Sequence, residues 1–429
     1  MCVVCGILHK SIFFDCMYNV TIEEVFDAYF ECRKTKRYSS GALTFESNYE
    51  ENLIRLYDEL KSGSWVPGRS TCFIVTKPVK REIFAAPFRD RIVHHILINR
   101  LNAALEKHFI FDSYACRVGK GTHAAIKRVE HFIRQQTENG TKTAYVLKLD
   151  IKGFFMSIDR SLLYTRLCDF IDKNYRPADA ADARFEKYLA HKIIFNDPCK
   201  NAIIQSPKSS WSGLPKDKSL FTAKKNCGLP IGNLTSQVFA NFYLSSLDHF
   251  VKHRLGVRCY VRYVDDMVIV HRSKEFLKKV VPQIRWFLQA DLKVCLHPKK
   301  IYLQPAANCV AFLGTTIHPH FTQCSKRIKN NFASRLKSLS ALADEHKPDR
   351  EEKDAFMQSV NSYLGIMAHY KTYRFRRAQL KRYLNPYWIR YFSVCADCKK
   401  VVRKASNVKA VGCQRDWTSQ VSSTGMPVA

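Results

Sequence analysis

Two neighbouring carboxylates, Asp265 and Asp266, lie between apolar runs, CYVRYV and MVIV, that predict a β-hairpin with buried strands. A third carboxylate, Asp150, ends another apolar strand in AYVLKLD. Adjacent carboxylates at the edge of a core repel each other unless a cation binds between them. Three of them at one sheet edge suit two Mg²⁺ ions, with Mn²⁺ as a substitute, in the in-line transfer of a phosphoryl group.

A simpler interpretation exists for the paired aspartates, because Asp is common at hairpin tips for its turn geometry alone. The charge of the whole chain bears on that choice. The 429 residues include 69 Lys and Arg against 38 Asp and Glu, a net charge of +31 that is spread along the sequence. Such a charge predicts a polyanionic partner, although passive RNA-binding proteins and membrane-surface proteins carry similar charge.

Composition also excludes several classes of protein. With 46% hydrophobic residues, 16 Gly and 15 Pro, the chain is neither disordered nor collagen-like. No run approaches ~20 apolar residues, and the N-terminus lacks the pattern of a signal peptide. We therefore expect a cytoplasmic protein that does not associate with a membrane.

The hydrophobic pattern predicts mixed helices and strands around the three aspartates. Residues 21–62 have helical spacing that stops at Gly63, and Thr235 is a candidate helix cap in GLPIGNLTSQ. The other predicted elements are an antiparallel ribbon over 71–84, a helix over 90–105, a helix after Asp159, a long loop over 198–227 and two amphipathic helices beyond Ser325.

The motifs LKLDIKGFF, LPIG…SQ and YVDD occur in an order that resembles the palm motifs of reverse transcriptases, over residues 77 to 313. This resemblance implies an α+β fold of the right-hand polymerase type, with fingers, a palm built on an antiparallel sheet, and a helical thumb. The implied divisions are an N-terminal helical extension (1–70), fingers with the start of the palm (71–143), palm (144–322, with a long loop at about 198–227), helical thumb (323–395) and a basic tail without fixed structure (396–429).

The resemblance also assigns roles at the reaction centre. Asp150, Asp265 and Asp266 become the catalytic, metal-binding residues, with the backbone carbonyl of Ile151 as a further metal ligand. In KPVKREIFAAPFRD, Arg81 becomes the residue that holds the incoming triphosphate. The role of Arg81 would be assisted by Lys77 or Lys80.

Other residues acquire binding roles by the same resemblance. Phe155 stands where reverse transcriptases keep an aromatic ring that blocks a ribose 2′-hydroxyl, which implies deoxynucleotide substrates. Gly314, in CVAFLGTTI, falls in the segment that resembles the primer grip. The residue pattern alone, apart from the resemblance, predicts further contacts with nucleic acid: Arg117 and Lys120 along the template, and the basic run of Arg374, Arg376 and Arg377. The competing interpretations are ordinary core packing for Phe155, a plain hairpin at Gly314, a simple turn around Lys120 and a solvated basic helix face for the arginine run.

The segment around Ile231, Gly232 and Gln237 distinguishes this chain from many reverse transcriptases, which have Gln before this glycine. IGNLTSQ and DSYACRVGKGTHAAI resemble the reverse transcriptases of diversity-generating retroelements. That resemblance implies bacterial or phage-encoded, error-prone copying of a template-repeat RNA opposite adenine. Its implied partners are the RNA template, a DNA or RNA primer, dNTPs and a small basic accessory protein. Glutamine can hydrogen-bond near the incoming nucleotide, whereas isoleucine offers only apolar contact.

Two alternatives stay open on the sequence. One is a faithful reverse transcriptase of the retron or group II intron type, and the other is a basic RNA-binding protein without catalysis. The two CxxC pairs, Cys2/Cys5 and Cys395/Cys398, lie at opposite ends of the chain, and neither has a nearby second half. The spacing therefore does not favour a zinc site.

Overall fold

A computed structural model describes residues 18–76, 79–175 and 183–404. The chain divides into two compact units, each with its own core. The first unit comprises the described residues up to Phe132 together with Ala144–Gln304. The second comprises Ile133–Thr143 and the described residues from Pro305 onward. Lys77, Cys2, Cys5 and residues 405–429 lie outside the described part of the chain.

The described residues form helices throughout both units. In chain order they are α1 (Ile22–Lys36), α2 (Ser40–Glu46), α3 (Tyr49–Ser62), α4 (Phe88–His108), α5 (Thr122–Thr137), α6 (Phe154–Ser157), α7 (Arg160–Asn174), α8 (Arg184–Ile194), α9 (Leu234–Tyr243), α10 (Ser245–His249), α11 (Lys274–Ala290), α12 (Lys326–Glu345), α13 (Arg350–Ala368), α14 (Tyr373–Tyr383) and α15 (Pro386–Tyr391). None of these helices is both long and apolar enough to cross a bilayer.

The strands of the described ranges are short. They are β1 (Thr71–Val75), β2 (Arg81–Ala85), β3 (Tyr145–Leu149), β4 (Ile203–Ile204), β5 (Tyr260–Tyr263), β6 (Asp266–His271), β7 (Tyr302–Pro305), β8 (Val310–Phe312), β9 (Thr315–Ile317), β10 (Thr322–Cys324), β11 (Phe392–Val394) and β12 (Val401–Arg403). They assemble into sheets with strand orders β5-β6-β3-β7, β2-β1-β4, β10-β9-β8 and β11-β12.

The predicted N-terminal helices are confirmed, and their ends have clear local causes. Thr21 and Glu24 form a capping box at the start of α1, where each side chain bonds the other's backbone N–H. Helix α3 ends at Gly63, which adopts the left-handed conformation (φ 72°) that glycine tolerates best. The aliphatic residues of these helices enter the main core of the first unit.

The sheet β5-β6-β3-β7 is the scaffold for the three aspartates. Strands β3 and β6 pair antiparallel, with Leu149 opposite Met267, and β5 pairs antiparallel with β6. The inner part of β6 is buried, so its apolar run MVIV packs on both faces. The predicted hairpin at Asp265 and Asp266 and the predicted strand before Asp150 are both confirmed.

The predicted ribbon is the antiparallel pair β1 and β2, and the predicted helix that follows it is α4. The long loop over 198–227 contains short 3-10 turns and the two-residue strand β4, which pairs parallel with β1. The helix after the glycine turn begins at Leu234, with Asn233 at its N-cap position instead of the predicted Thr235. Asn233 instead accepts the backbone N–H of Ala86 (3.1 Å), while the Thr235 side chain is buried inside the helix.

The second unit is built on the amphipathic helices α12 and α13, as predicted, together with α14 and α15. Its core includes Phe332, Phe356, Leu364 and Trp388. Residues at the start of the predicted basic tail complete the hairpin β11-β12. That hairpin is fastened because the Asn361 side chain accepts the N–H of Val401 (2.7 Å) and donates to its carbonyl (2.9 Å).

Candidate functional site

The three aspartates converge because of the register of the central sheet. Leu149, the last residue of β3, pairs with Met267, so Asp150, which follows β3, lies at the same edge as Asp266, the first residue of β6. Asp265 occupies the turn that joins β5 to β6. Side chains separated by more than a hundred residues in the sequence are thus gathered at one sheet edge.

A buried ion pair holds the turn that carries Asp265. Arg262 and Asp248 are both inaccessible to solvent, and Arg262 donates two bonds to the Asp248 carboxylate (2.7 and 2.5 Å). Tyr260 donates a third bond to Asp248 (2.8 Å). Arg262 also donates to the carbonyl of Val264 (3.1 Å). Val264 has φ 55°, a conformation that costs a β-branched residue energy, so the ion pair supports a strained turn.

The backbone around Asp150 is fixed on its other side. The carbonyl of Asp150 accepts the N–H of His297 (2.8 Å), and Lys152 donates its N–H to the carbonyl of Cys295 (2.9 Å). Between them, Ile151 forms an isolated antiparallel bridge with Leu296. These bonds set the course of the chain through the two residues predicted to ligate metal, Asp150 and Ile151.

The site combines buried carboxylates, whose pKa values are raised at Asp265 and Asp266, with two lysines that contact Asp150 and Asp266. Burial, reinforced by Asp266 and Asp150, raises the pKa of Asp265 to about 6. Burial also raises the pKa of Asp266, against the opposing effect of Lys148, whose ammonium lies 3.7 Å from its carboxylate. The ammonium of Lys300 bonds both oxygens of Asp150, at 3.0 and 2.9 Å.

The donor chemistry of this site fits a hard divalent cation. Its oxygen ligands would be the three carboxylates and the Ile151 carbonyl, and Lys300 already places a positive charge on Asp150. Within residues 18–76, 79–175 and 183–404, however, no group of three or more His, Cys, Asp or Glu side chains is arranged to hold a metal as it stands. Lys300 occupies both oxygens of Asp150, so a cation bound at this site would compete with that ammonium.

Two of the predicted nucleotide-binding residues, Phe155 and Ile231, pack against a small apolar cluster. Phe84 and Met156 are buried in it, and Phe155 and Ile231 pack against it while partly exposed. The carbonyl of Ile231 accepts the N–H of Phe84, and the carbonyl of Phe155 accepts the N–H of Leu229, both at 2.8 Å. The hairpin β1-β2, the turn after Asp150 and the segment before α9 are therefore bonded together.

Gly232 is placed where a side chain would not fit. Its φ is 129°, and a Cβ at this position would lie 2.8 Å from the Ile83 side chain and 3.0 Å from the Phe84 carbonyl. Arg81, the first residue of β2, is exposed at the end of the hairpin. Gln237 is exposed on α9 and accepts a bond from the Cys116 thiol (3.2 Å). Lys77 lies outside the described residues.

The two residues predicted to line the template path have internal partners. The Arg117 side chain is only 6% exposed, forms an ion pair with Glu106 (2.8 Å) and donates to the carbonyls of Ile110 and Ser113. Lys120 donates to the carbonyl of Phe111 (3.0 Å) and lies 3.4 Å from the centre of its ring. These contacts favour a structural role for Arg117 and leave an aromatic–cation pair at the surface.

The remaining predicted contacts with nucleic acid lie in the second unit. Gly314 (φ 81°) joins β8 to β9, and its carbonyl accepts the N–H of Ser325 (3.1 Å). Arg374 and Arg377 are exposed on α14. Arg376 is only 3% exposed and donates to the carbonyl of Cys398 (2.5 Å). This contact ties α14 to the hairpin that carries Cys395 and Cys398, so Arg376 supports the unit from inside.

Three residues near the site were missed by the sequence reasoning: Lys148, Arg262 and Lys300. Lys148 and Arg262 each interrupt an otherwise apolar strand, which is a readable signal because a charge in a buried strand needs a partner. Lys300 follows HPK in a polar segment, and nothing in that pattern pairs it with Asp150.

Individual known proteins match this chain in sequence or in structure. Protein YkfC of Escherichia coli (strain K12) is 25% identical over 294 residues, which are 60% of this chain and 69% of that protein. Among solved structures, apo telomerase from Candida tropicalis matches with 12% identity and a TM-score of 0.45, over 79% of this chain and 64% of that one. Telomerase from Candida albicans, in complex with a fragment of telomeric RNA, matches with 12% identity and a TM-score of 0.41, over 74% and 57%. The chain thus spans less than two thirds of these telomerase chains.

The family described as reverse transcriptase (RNA-dependent DNA polymerase) matches residues 77–317, more than half of the chain. The matched range includes the three aspartates and the cluster around Phe155 and Ile231. The α+β fold, with mixed helices and antiparallel sheets of the right-hand polymerase type, agrees with this match. The chain therefore belongs to the reverse transcriptase family of RNA-dependent DNA polymerases.

Proposed function

We propose that this reverse transcriptase copies a template-repeat RNA into cDNA with errors directed to adenine, as part of a diversity-generating retroelement. The observation that carries the proposal is the surroundings of Ile231. Its backbone is bonded to the hairpin of Arg81 through Phe84, and its side chain packs with Phe155 on one apolar cluster. At this position the chain offers the incoming nucleotide apolar contact and no side-chain hydrogen bond.

In this proposal, Asp150, Asp265 and Asp266, with the Ile151 carbonyl, hold two Mg²⁺ ions. The ions supply charge neutralisation on the triphosphate and activation of the primer 3′-hydroxyl. Arg81, with Lys77, binds the triphosphate oxygens, for which the forked guanidinium is suited. Phe155 excludes a ribose 2′-hydroxyl by contact with its ring, so that the substrates are dNTPs.

We assign the subdomains and the contacts with nucleic acid by analogy with the family. Residues 71–143 serve as fingers with the start of the palm, 144–322 as palm and 323–395 as thumb. Gly314, Lys120, Arg374 and Arg377 contact template and primer, and the charge of +31 supports such a polyanionic partner. A small basic accessory protein and a bacterial or phage-infected cytoplasm complete the proposed setting.

The test is primer extension by the purified full chain on an RNA template that contains all four bases, with Mg²⁺ and dNTPs, followed by sequencing of the cDNA. We expect substitutions to be concentrated opposite template adenine. Ile231→Gln should keep synthesis and lower the adenine-specific error rate, because it restores a hydrogen-bonding group beside the nucleotide. Ile231→Met, which stays apolar and is similar in volume, should keep the errors.

Asp265→Ala separates catalysis from RNA binding in the same assay. Loss of all synthesis with RNA affinity retained supports a polymerase whose chemistry depends on the sheet edge. Faithful cDNA from the wild-type chain contradicts the mutagenic function and favours a retron or group II intron-type enzyme. Absence of synthesis by the wild-type chain, with template RNA and accessory protein supplied and RNA bound, contradicts catalysis and favours an RNA-binding protein.

A further inference from the structure

Glu82 is a buried carboxylate whose partners all come from a distant segment of the first unit. It is 1% exposed and follows Arg81 on β2. One of its oxygens accepts the indole N–H of Trp211 (2.6 Å) and the hydroxyl of Ser219 (2.8 Å). The other accepts the backbone N–H of Leu220 (2.6 Å). Three donors from one loop therefore converge on a single side chain of the hairpin.

The alternation of β2 places Glu82 and Arg81 on opposite faces of the hairpin. Glu82 and Phe84 are buried, whereas Arg81 is exposed and Ile83 is partly exposed. The buried face is covered by the loop, where Phe221 contacts Phe84 with ring centroids 5.4 Å apart. Holding the Glu82 face therefore fixes the direction in which Arg81 leaves the hairpin.

The same loop also contacts two other parts of the proposed nucleotide site, the turn after Asp150 and the apolar cluster. Gly153, in the turn after Asp150, lies so close to the loop that a Cβ there would be 2.6 Å from the Asp217 carbonyl. Leu220 is buried in the apolar cluster against which Phe155 and Ile231 pack. One segment, residues 211–221, is thus in contact with the hairpin β1-β2, the turn after Asp150 and the apolar cluster.

A carboxylate suits this junction better than a neutral group would. Charge-assisted hydrogen bonds are shorter and stronger than neutral ones, and a buried carboxylate left without donors is strongly destabilising. Glutamine has almost the same shape, but its amide N–H₂ would face one of the present donors. Replacing Glu82 by Gln therefore loosens the junction without leaving a cavity.

We propose that Glu82 is a positioning residue. It holds the loop of residues 211–221 against the hairpin and thereby fixes the positions of Arg81 and the apolar cluster relative to the incoming dNTP. This inference rests on the proposed function, since it assigns the triphosphate to Arg81. Glu82 does not touch the substrate. Its effect passes through the position of the hairpin and is distinct from any effect on the metal-binding aspartates.

The test compares Glu82→Gln, Trp211→Phe and the double variant in steady-state primer extension with the dNTP concentration varied. Glu82→Gln should raise the KM for dNTP about tenfold and change kcat by less than about twofold, because uniform binding is lost and the chemistry is kept. Trp211→Phe removes one donor and keeps a smaller aromatic ring, so its increase in KM should be smaller. The double variant should have the same KM for dNTP as Glu82→Gln alone. Affinity for the primer–template should not change.

Glu186→Gln is the matched control, since Glu186 is equally buried in the first unit but bonds Arg100 and Tyr175. Hydrogen exchange without nucleotide supplies a second measurement. The amides of residues 81–85 and 219–222 should exchange faster in Glu82→Gln and not in the control. A general loss of stability would instead speed exchange in both variants and lower kcat without raising KM, and this result overturns the inference.

Two further outcomes separate the inference from the proposed function. Unchanged dNTP KM in Glu82→Gln, with the wild-type enzyme active, overturns the positioning role and leaves the polymerase proposal standing. If the wild-type chain makes no DNA, the proposed function fails, and the exchange measurement alone then decides whether Glu82 fastens the hairpin. Should Glu82→Gln fail to fold, Trp211→Phe carries the same test with one bond removed.

Discussion

Replacing Asp265 by Asn should stabilise the metal-free protein at neutral pH. Burial and the neighbouring Asp266 and Asp150 raise the pKa of Asp265 from 3.8 to about 6. A pKa that is higher in the folded chain means that folding favours the protonated acid. The charged form therefore opposes folding above pH ~6, and this opposition grows as the pH rises from about 4 to about 6.

The magnitude follows from the two pKa values. At ~1.36 kcal/mol per pH unit, the difference between 3.8 and about 6 corresponds to ~3 kcal/mol of destabilisation once Asp265 is ionised. An asparagine side chain has nearly the same shape as aspartate and no charge. We therefore expect Asp265→Asn to raise the free energy of unfolding by up to ~3 kcal/mol at pH 7.5. At pH 4.5 the gain should fall to ~1 kcal/mol, because Asp265 is then protonated in the folded chain.

The assay is urea denaturation of the full chain in EDTA at both pH values, monitored by tryptophan fluorescence. Asp58→Asn, at an exposed position of α3, is the control and should change the unfolding free energy by less than ~0.5 kcal/mol. Adding Mg²⁺ should stabilise the wild-type chain more than Asp265→Asn. Equal stability of wild type and Asp265→Asn at pH 7.5, or a gain that does not depend on pH, would refute the electrostatic reasoning.

Three more outcomes are expected. Arg262→Met should lower the free energy of unfolding by ~3–5 kcal/mol, because it leaves the buried Asp248 carboxylate without its cation. Adding Asp248→Asn should recover most of that free energy. It should not recover DNA synthesis, since the Val264 carbonyl still lacks the bond from Arg262. Lys300→Met should tighten Mn²⁺ binding on the order of tenfold in an EPR titration, because it removes a competing ammonium. Arg376→Glu should unfold the second unit, which is measured as faster cleavage of that unit by protease. Arg374→Glu, at an exposed position, should only weaken RNA binding and reduce the slope of log affinity against log salt concentration by about one.

The central sheet could be predicted because its signals are local. Apolar runs that end in aspartate specify buried strands with carboxylates at their ends, and the chain supplies this pattern before Asp150 and again around Asp265. The antiparallel hairpin follows from the shortness of the turn. Register between β3 and β6 is not local, yet burial of both faces leaves few alternatives that keep every apolar residue inside.

The basic residues show where the pattern misleads. Arg374, Arg376 and Arg377 form one basic run in the sequence, but α14 turns Arg376 inward with Thr372 and Leu380, four residues away on either side. That spacing was readable, since residues four apart share a helix face. Arg117 gave no comparable signal. Its partner Glu106 lies in the last turn of α4, and the accepting carbonyls of Ile110 and Ser113 belong to the irregular segment that follows, whose path depends on tertiary structure.

The same limit explains why the long loop could be located but not interpreted. Its Pro and Ser content predicts an irregular segment, and the acceptor that organises it, Glu82, lies more than a hundred residues earlier. Such a junction is specified by matching one buried acceptor to three donors. None of the four residues is unusual in its own stretch of sequence, so only the folded arrangement reveals the match.

The charges around the three aspartates leave the buried Asp265 with a raised pKa. A chain of net charge +31 could neutralise its aspartates fully, yet Asp265 is left with a raised pKa while Lys148 and Lys300 contact only its neighbours. The turn that carries Asp265 is also strained at Val264 and held by a buried ion pair. A site arranged for stability alone would relieve both costs. Raised pKa values and strained turns cluster at functional sites, and both features therefore support the metal-binding role that we propose for Asp265.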